Sequence, residues 1–230
     1  MTQTLLEKAT GDTLAERVAA LIEADILRGD FAPGARLAIA DLASRYAIGA
    51  TPVREGLSRL IARGLIVAIG QRGFRVSAVS REDLEDITRL RSVIECEALR
   101  LSMKLGDGSW EGGIVAALYQ LRRYGRQNPE GLREGRADFD VLHKAFHRSL
   151  IAACDSPRML GAHSDLYDQA YRYRRLMMRT FEESQEFIAV HEELADLVLT
   201  RRVSEALPKL ADHLYGTLAL VYPNAAEKAP

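Results

Sequence analysis

The run Gly49-Ala-Thr-Pro-Val-Arg-Glu-Gly-Leu-Ser-Arg-Leu-Ile-Ala-Arg-Gly-Leu-Ile66 constrains the fold more than any other part of the chain. It predicts a tight turn, a short basic helix and the first strand of a hairpin. Thr51 suits an N-cap, and Pro52 suits the first helical position, where a missing N–H is no loss. Val53, Leu57, Leu60 and Ile61 make one apolar stripe at helical spacing, which leaves Arg54, Ser58 and Arg59 facing outward. A positive helix start with short side chains on a small apolar base is what entry into a DNA major groove requires. A solvated amphipathic helix has the same pattern, and the flanking residues decide between the two.

Those flanks are ordered. Leu14, Val18, Leu21, Ile22 and Ile26 predict a helix over about residues 12–28, stopped by Gly29, with a turn at Phe31-Ala-Pro-Gly34. A short helix follows over about residues 40–46. Beyond Gly64, residues 65–69 and 74–79 are β-branched and apolar, and Gly70-Gln-Arg-Gly73 joins them as a hairpin. Helix, helix, turn, helix and hairpin, in that order, make a winged helix-turn-helix over residues 1–79. Arg72 and Arg75 put positive charge at the tip and flank of the wing.

The formal net charge of the whole chain is only −1, so no global excess of positive charge points to nucleic acid. Residues 11–78, however, carry nine basic against seven acidic side chains, which makes the N-terminal part the partner of a polyanion. No apolar run reaches the roughly 18 residues of a membrane span, and the N-terminus lacks a signal-peptide layout. Cys96 and Cys154 lie within helical apolar patterns and read as reduced core thiols of a cytoplasmic protein.

From Ser80-Arg-Glu-Asp83, a capping-box-like start with Asp in the usual Glu place, everything reads as helix. The expected helices span about residues 81–105, 110–126, 133–154, 157–182, 185–201 and 204–221. Breaks fall at Gly106-Asp-Gly108, Asn128-Pro-Glu-Gly131 and Asp155-Ser-Pro157. The expected fold is therefore mainly α. It comprises the winged helix-turn-helix with its small β-hairpin, an all-α six-helix bundle over residues 80–222, and a flexible tail over residues 223–230.

Four of the five histidines share an inward placement. His143 and His147 sit four apart on the face that carries Phe139, Leu142, Phe146 and Leu150. His191 lies on the stripe of Phe187, Ile188, Leu194 and Val198, and His213 on that of Leu207, Leu210, Leu214 and Leu218. One inward imidazole is ordinarily a satisfied core residue. Four together are expensive unless hydrogen-bonded or coordinated, and neutral imidazole suits a divalent transition metal such as zinc, nickel or copper. Arg91 falls on the apolar seam of Leu84, Ile87, Ile94 and Leu101. It reads either as a carboxylate clamp or as the partner of Glu95 at i+4. Tyr171, Arg172, Tyr173, Arg174 and Arg175 read as a solvated or dimer-facing helix rather than as the pocket lining that such residues can also form, Asp140 as a weaker carboxylate candidate, and His163 as a surface or interface residue.

These residues resemble a known family. Leu27-Arg-Gly-Asp-Phe-Ala-Pro-Gly-Ala-Arg-Leu37, Thr51-Pro-Val-Arg-Glu-Gly-Leu57, Leu60-Ile-Ala-Arg-Gly-Leu65 and Arg72-Gly-Phe-Arg-Val76 are similar to the GntR-family winged-helix domain. The helical remainder resembles the FCD effector domain of the FadR-like branch, with the six-helix count of its VanR-type subgroup. The resemblance implies a homodimeric regulator whose binding to double-stranded operator DNA answers a small organic acid. It implies DNA contacts from Thr51 and Arg54, and a wing contact from Arg72 and Gly73. The family usually has Ser-Arg before Thr-Pro, and that arginine reads a guanine. Gly49 and Ala50 stand there instead, so a contact that discriminates by about 1–3 kcal/mol is missing and the operator is expected to be relaxed or altered. Arg45 is the expected compensating phosphate contact. The resemblance also implies a metal site of Asp-x-x-x-His plus two later histidines. His147, His191 and His213 match the histidines, and His143 takes the place of the aspartate. That exchange either turns the site towards nitrogen-loving metals or abolishes the metal and leaves a polar anion pocket. A metal-dependent hydrolase or lyase using the four histidines is the alternative from another class, and a winged helix that binds protein is a third reading.

Overall fold

The computed structural model describes residues 12–70, 73–128, 137–178 and 184–222. Arg72 and the tail over residues 223–230 lie outside them. The chain divides into two compact units, residues 1–79 and 80–230.

In the first unit, α1 (Leu14–Arg28) opens with a capping box. Thr13 Oγ1 accepts the Glu16 N–H at 3.2 Å, and the Glu16 carboxylate accepts the Thr13 N–H at 2.8 Å. Next come β1 (Arg36–Leu37), α2 (Ile39–Tyr46), α3 (Ala50–Ala62), β2 (Ile66–Ala68) and β3 (Phe74–Val76). The strands form an antiparallel sheet in the order β1-β3-β2. The expected hairpin is thus joined by a third short strand, which pairs Arg36 with Arg75 and Leu37 with Phe74. Val18, Ile22, Leu37, Leu42, Val53, Leu57, Leu60, Leu65, Ile66 and Val76 close one aliphatic core. Full burial of each such side chain stabilises the unit by about 1.5–3 kcal/mol.

The basic helix differs from expectation in two respects. Its N-cap is Gly49 without a side-chain cap, so Thr51 and Pro52 sit inside the first turn. Proline is tolerated there because the first-turn N–H groups have no helical partner. The buried stripe is Val53, Gly56, Leu57 and Leu60, while Ile61 is 36% exposed. Gly56 takes that place because α3 crosses α1 closely. A β-carbon at Gly56 would lie 2.9 Å from the Ala15 carbonyl oxygen and 2.7 Å from Val18 Cγ1. Before α3 the chain turns through Ala47, whose φ of 53° is left-handed. That conformation costs a residue with a β-carbon about 1–2 kcal/mol.

The second unit consists, among the described residues, of α4 (Arg81–Leu105), α5 (Gly108–Gln127), α6 (Ala137–Leu150), α7 (Pro157–Met178), α8 (Ser184–Leu199) and α9 (Val203–Val221). Ser80 caps α4 by accepting the Asp83 N–H at 3.1 Å. The hydroxyl of Tyr173 accepts the Ser80 N–H at 3.1 Å and donates to Asp83 at 2.5 Å. Helix α6 stops at Leu150, short of the expected residue 154. The chain there turns so that Ile151 and Cys154 enter the core. Helix α4 packs on α7 and α9, α5 on α6 and α8, and α7 on α6 and α9. These contacts surround the inner face of α6 with other helices.

Two substitutions should move the stability of the first unit in opposite directions. Gly56→Ala forces α1 and α3 apart and is expected to cost about 1–3 kcal/mol. Ala47→Gly relieves the left-handed turn and is expected to gain up to about 1 kcal/mol. Urea unfolding of the full chain measures both; equal midpoints for the two variants would contradict the packing described.

Candidate metal centre and nucleic-acid interface

Helix α6 presents His143 and His147 one turn apart, α8 supplies His191 and α9 supplies His213. Their Nε2 atoms converge. His143 lies 2.7 Å from His191, His147 lies 3.0 Å from His143, and His147 lies 3.2 Å from His213. One coordinating atom from each ring falls within 4.8 Å of all the others. Nitrogen ligands about 2.0–2.1 Å from a tetrahedral zinc ion stand about 3.3–3.4 Å apart, so the cluster fits a small divalent cation after a slight expansion. Burial drives the imidazoles toward their neutral, ligating form. It pulls His143 and His213 well below the ordinary histidine value, lowers His147, and brings His191 down to about 3.

Three of the outer nitrogens face polar groups, and for His191 and His147 that group is an acceptor, as a ligating imidazole requires. His191 Nδ1 donates to the Phe187 carbonyl at 2.6 Å. His147 Nδ1 faces Glu95 Oε2 at 3.6 Å. His143 Nδ1 meets Arg174 Nη1 at 2.7 Å and the Tyr167 hydroxyl at 2.9 Å. Arg174 is also ion-paired with Asp140, whose carboxylate accepts from Tyr167 at 3.1 Å.

Glu95 is the charge centre behind this shell. Burial opposes its ionisation, but the Arg91 guanidinium, with His147 and His163, holds its carboxyl well below the ordinary value. Arg91 Nε donates to it at 2.7 Å, and His163 Nδ1 lies 3.2 Å away. Burial lowers the Arg174 guanidinium to about 9, which leaves it a cation at neutral pH.

A cavity of about 420 Å³ opens onto His143, His191 and His213. The guanidinium in its wall is that of Arg174, with Phe187, Thr217 and Leu220 around it and Glu186, Lys209 and Asp212 alongside. The expected clamp, Arg91, is instead spent on Glu95, because i+4 spacing brings the two together inside the α4 seam. The aromatic-basic segment of α7 is likewise not a solvated face, for Tyr171, Arg172, Tyr173 and Arg174 are all buried. His163 is fully buried rather than at the surface. His163, Tyr167, Tyr171 and Arg174 follow one another at spacings of four, four and three, the signal from which an inward face of α7 was readable.

In the first unit, Thr51, Arg54, Ser58 and Arg59 are exposed along α3. Arg59 lies 3.3 Å from Glu16. Arg45, the expected phosphate contact, lies 2.5 Å from the buried carboxylate of Asp25 and stacks over the Phe31 ring at 4.9 Å. Arg75 bends back to donate to the Gly34 carbonyl at 2.8 Å. Gly73 adopts a φ of 93°, left-handed backbone that suits glycine where the chain enters β3 from the wing turn.

Comparison with known proteins agrees with both halves. The description "Bacterial regulatory proteins, gntR family" matches residues 14–76, and the FCD domain matches residues 86–216. The chain is a GntR-family transcriptional regulator with an FCD domain. This regulator is 34% identical over 200 residues to BphR, an HTH-type transcriptional regulator of Paraburkholderia xenovorans, covering 87% of this chain and 82% of that one. It is 31% identical over 201 residues to the HTH-type transcriptional repressor GlaR of Escherichia coli, covering 86% and 90%. Its fold is that of E. coli McbR/YncC, with a TM-score of 0.75 at 19% identity over 92% of this chain and 98% of that one. The family and these relatives are DNA-binding regulators rather than enzymes, which removes the hydrolase or lyase alternative. No helix among the described residues is long and apolar enough to cross a membrane.

Removing the carboxylate of Glu95 leaves Arg91 buried without its partner. Glu95→Ala is therefore expected to cost the helical unit about 3–5 kcal/mol, read by urea unfolding, whereas Glu95→Gln, which keeps an acceptor for Arg91, costs less. Equal losses in the two variants would show that the hydrogen bond to Arg91 contributes nothing.

Proposed function

We propose that this regulator binds operator DNA as a cytoplasmic homodimer. We further propose that a small carboxylate metabolite, taken up beside a divalent transition metal (zinc or nickel), sets its affinity for that DNA. The observation that carries the reading is the convergence of the imidazole nitrogens of His143, His147, His191 and His213 beside a cavity that three of them line together with the Arg174 guanidinium. Imidazoles kept neutral by burial hold a cation, and a bound cation draws in an anionic oxygen. Arg174, at the cavity wall, supplies the nearby positive charge that was expected of Arg91, and Thr217 offers a hydroxyl to the carboxylate.

On the DNA side, Thr51 and Arg54 read base edges, while Arg72 and Gly73 carry the wing toward the minor groove. Arg45 contributes charge near the backbone, shared with Asp25. With Gly49 and Ala50 at the start of the recognition helix, phosphate contacts carry a larger share of affinity, and binding falls steeply with salt. The effector regulates only if it favours one of two states of the dimer over the other.

Replacing Arg54 with alanine is expected to weaken binding to the best-bound promoter fragment by about 1–3 kcal/mol, with little change for random duplex. Gel-shift titrations of both fragments measure this, and an equal loss on the two would remove Arg54 from base reading. The same titrations, run with and without zinc and with a panel of small carboxylates, test the switch. Affinity indifferent to every addition would discard the effector reading and leave DNA binding standing.

A further inference from the structure

The four imidazoles are not equivalent, because their outer nitrogens have different partners. A neutral imidazole carries a single N–H, so whatever Nδ1 does fixes what Nε2 can offer. His191 Nδ1 faces a carbonyl oxygen at 2.6 Å, which only accepts. Its proton is therefore on Nδ1, and Nε2 turns a lone pair into the cluster. His147 Nδ1 stands 3.6 Å from the Glu95 carboxylate, too far for a hydrogen bond, but a buried carboxylate facing it favours the same tautomer. His143 is reversed. Its Nδ1 lies 2.7 Å from Arg174 Nη1, a group that only donates, and the Tyr167 hydroxyl stands 2.9 Å from the same nitrogen. Nδ1 of His143 is thus the acceptor, and its proton sits on Nε2. That N–H points into the cluster, 2.7 Å from His191 Nε2 and 3.0 Å from His147 Nε2.

Arg174 cannot easily release this arrangement. It is buried, its other terminal nitrogen is paired with Asp140, and its guanidinium lies over the Tyr167 ring at 4.8 Å. The tautomer of His143 is therefore built into the packing of α6 against α7. A ring held with Nε2–H inward has no lone pair to give to a metal at that position.

We propose that His143 is a fixed hydrogen-bond donor rather than a metal ligand. The metal is held by His147, His191 and His213, and the Nε2–H of His143 binds an anionic oxygen of the effector at the coordination position left open. This rests on the metal reading above and sharpens it. Three imidazoles with one open position are the arrangement of a site that exchanges a ligand, whereas four protein ligands close a site. The cavity opens onto His143, His191 and His213 together, so a carboxylate entering it meets the N–H and the open position at once. Arg174 is the positioning residue. It fixes which nitrogen of His143 carries the proton, and with it the preference for an acceptor, which a carboxylate is and an amine cation is not.

The test uses the full chain, stripped of metal and reloaded with zinc, as wild type, His143→Ala, His143→Gln and His191→Ala. Zinc affinity is read by competition with a chromophoric chelator. Wild type and both His143 variants are expected to hold zinc within about threefold of one another, while His191→Ala weakens it by about 10–100-fold or more. Thermal shift with acetate, succinate and benzoate on the zinc-loaded proteins reads the second half. The largest stabilisation seen in wild type should be lost in His143→Ala and recovered in His143→Gln, whose amide restores a donor. If truncating His143 perturbs the fold, ring-nitrogen NMR of zinc-loaded wild type gives the same answer. It should show a proton on Nε2 of His143 and on Nδ1 of His147 and His191. Zinc loss in His143→Ala equal to that in His191→Ala, or an unprotonated His143 Nε2, overturns the inference and leaves the metal reading intact. Failure of wild type to bind zinc removes both. No stabilisation of zinc-loaded wild type by any of the three acids overturns the donor role.

Discussion

Four imidazole nitrogens meeting in a desolvated space is the constraint around which the helical unit is organised. Polar atoms removed from water cost several kcal/mol unless they are matched, and here polar groups from α4, α7 and α8 face three of the outer nitrogens. The Phe187 carbonyl takes one outer nitrogen, Glu95 faces a second, and Arg174 with Tyr167 takes a third. Each of these partners needs a partner of its own. Glu95 is balanced by Arg91 and flanked by His163, and Arg174 is balanced by Asp140. The site therefore reaches well beyond the histidines, and α4 and α7 belong to it as much as α6, α8 and α9 do.

The N-terminal unit follows the opposite logic. Its core is a plain aliphatic cluster, and its working face is whatever that core leaves exposed. Gly56 lets α3 lie close on α1, which turns Thr51, Arg54 and Ser58 outward along one edge. Several of the unit's arginines are internally engaged. Arg45 is held by Asp25, Arg59 lies beside Glu16, and Arg75 is tied to a backbone carbonyl. The positive charge available to a polyanion is thus narrower than the count of basic residues implies. Arg54 stands out because the described contacts of α3 leave it at the surface.

Much of this is legible in the sequence. Helix positions followed from apolar spacing, and the winged helix followed from the order of helices, turn and hairpin. The histidine cluster followed from four imidazoles on inward stripes. Less legible were the residues whose roles depend on a neighbour far away in sequence. Arg91 and Arg174 are both arginines at inward helical positions. Which of them is spent on Glu95 and which faces the cavity depends on how α4 and α7 pack. The spacing of His163 from Tyr167 and Tyr171 marks an inward face, but its partner there, Glu95 on α4, is set only by packing. Ile61 and Gly56 exchanged places on the buried face of α3 because the closeness of the α1 crossing, not hydrophobicity, selects the residue there.

The sequence by itself determined the family, the succession of elements and the residue types that meet at the site, because periodicity, capping and turn chemistry act over a few neighbouring residues. Tertiary structure alone decided which nitrogen of each histidine faces inward and which arginine faces the cavity. Those choices are set by hydrogen-bond partners brought in from helices distant along the chain. In a buried site the partner of the outer atom fixes what the inner atom can do.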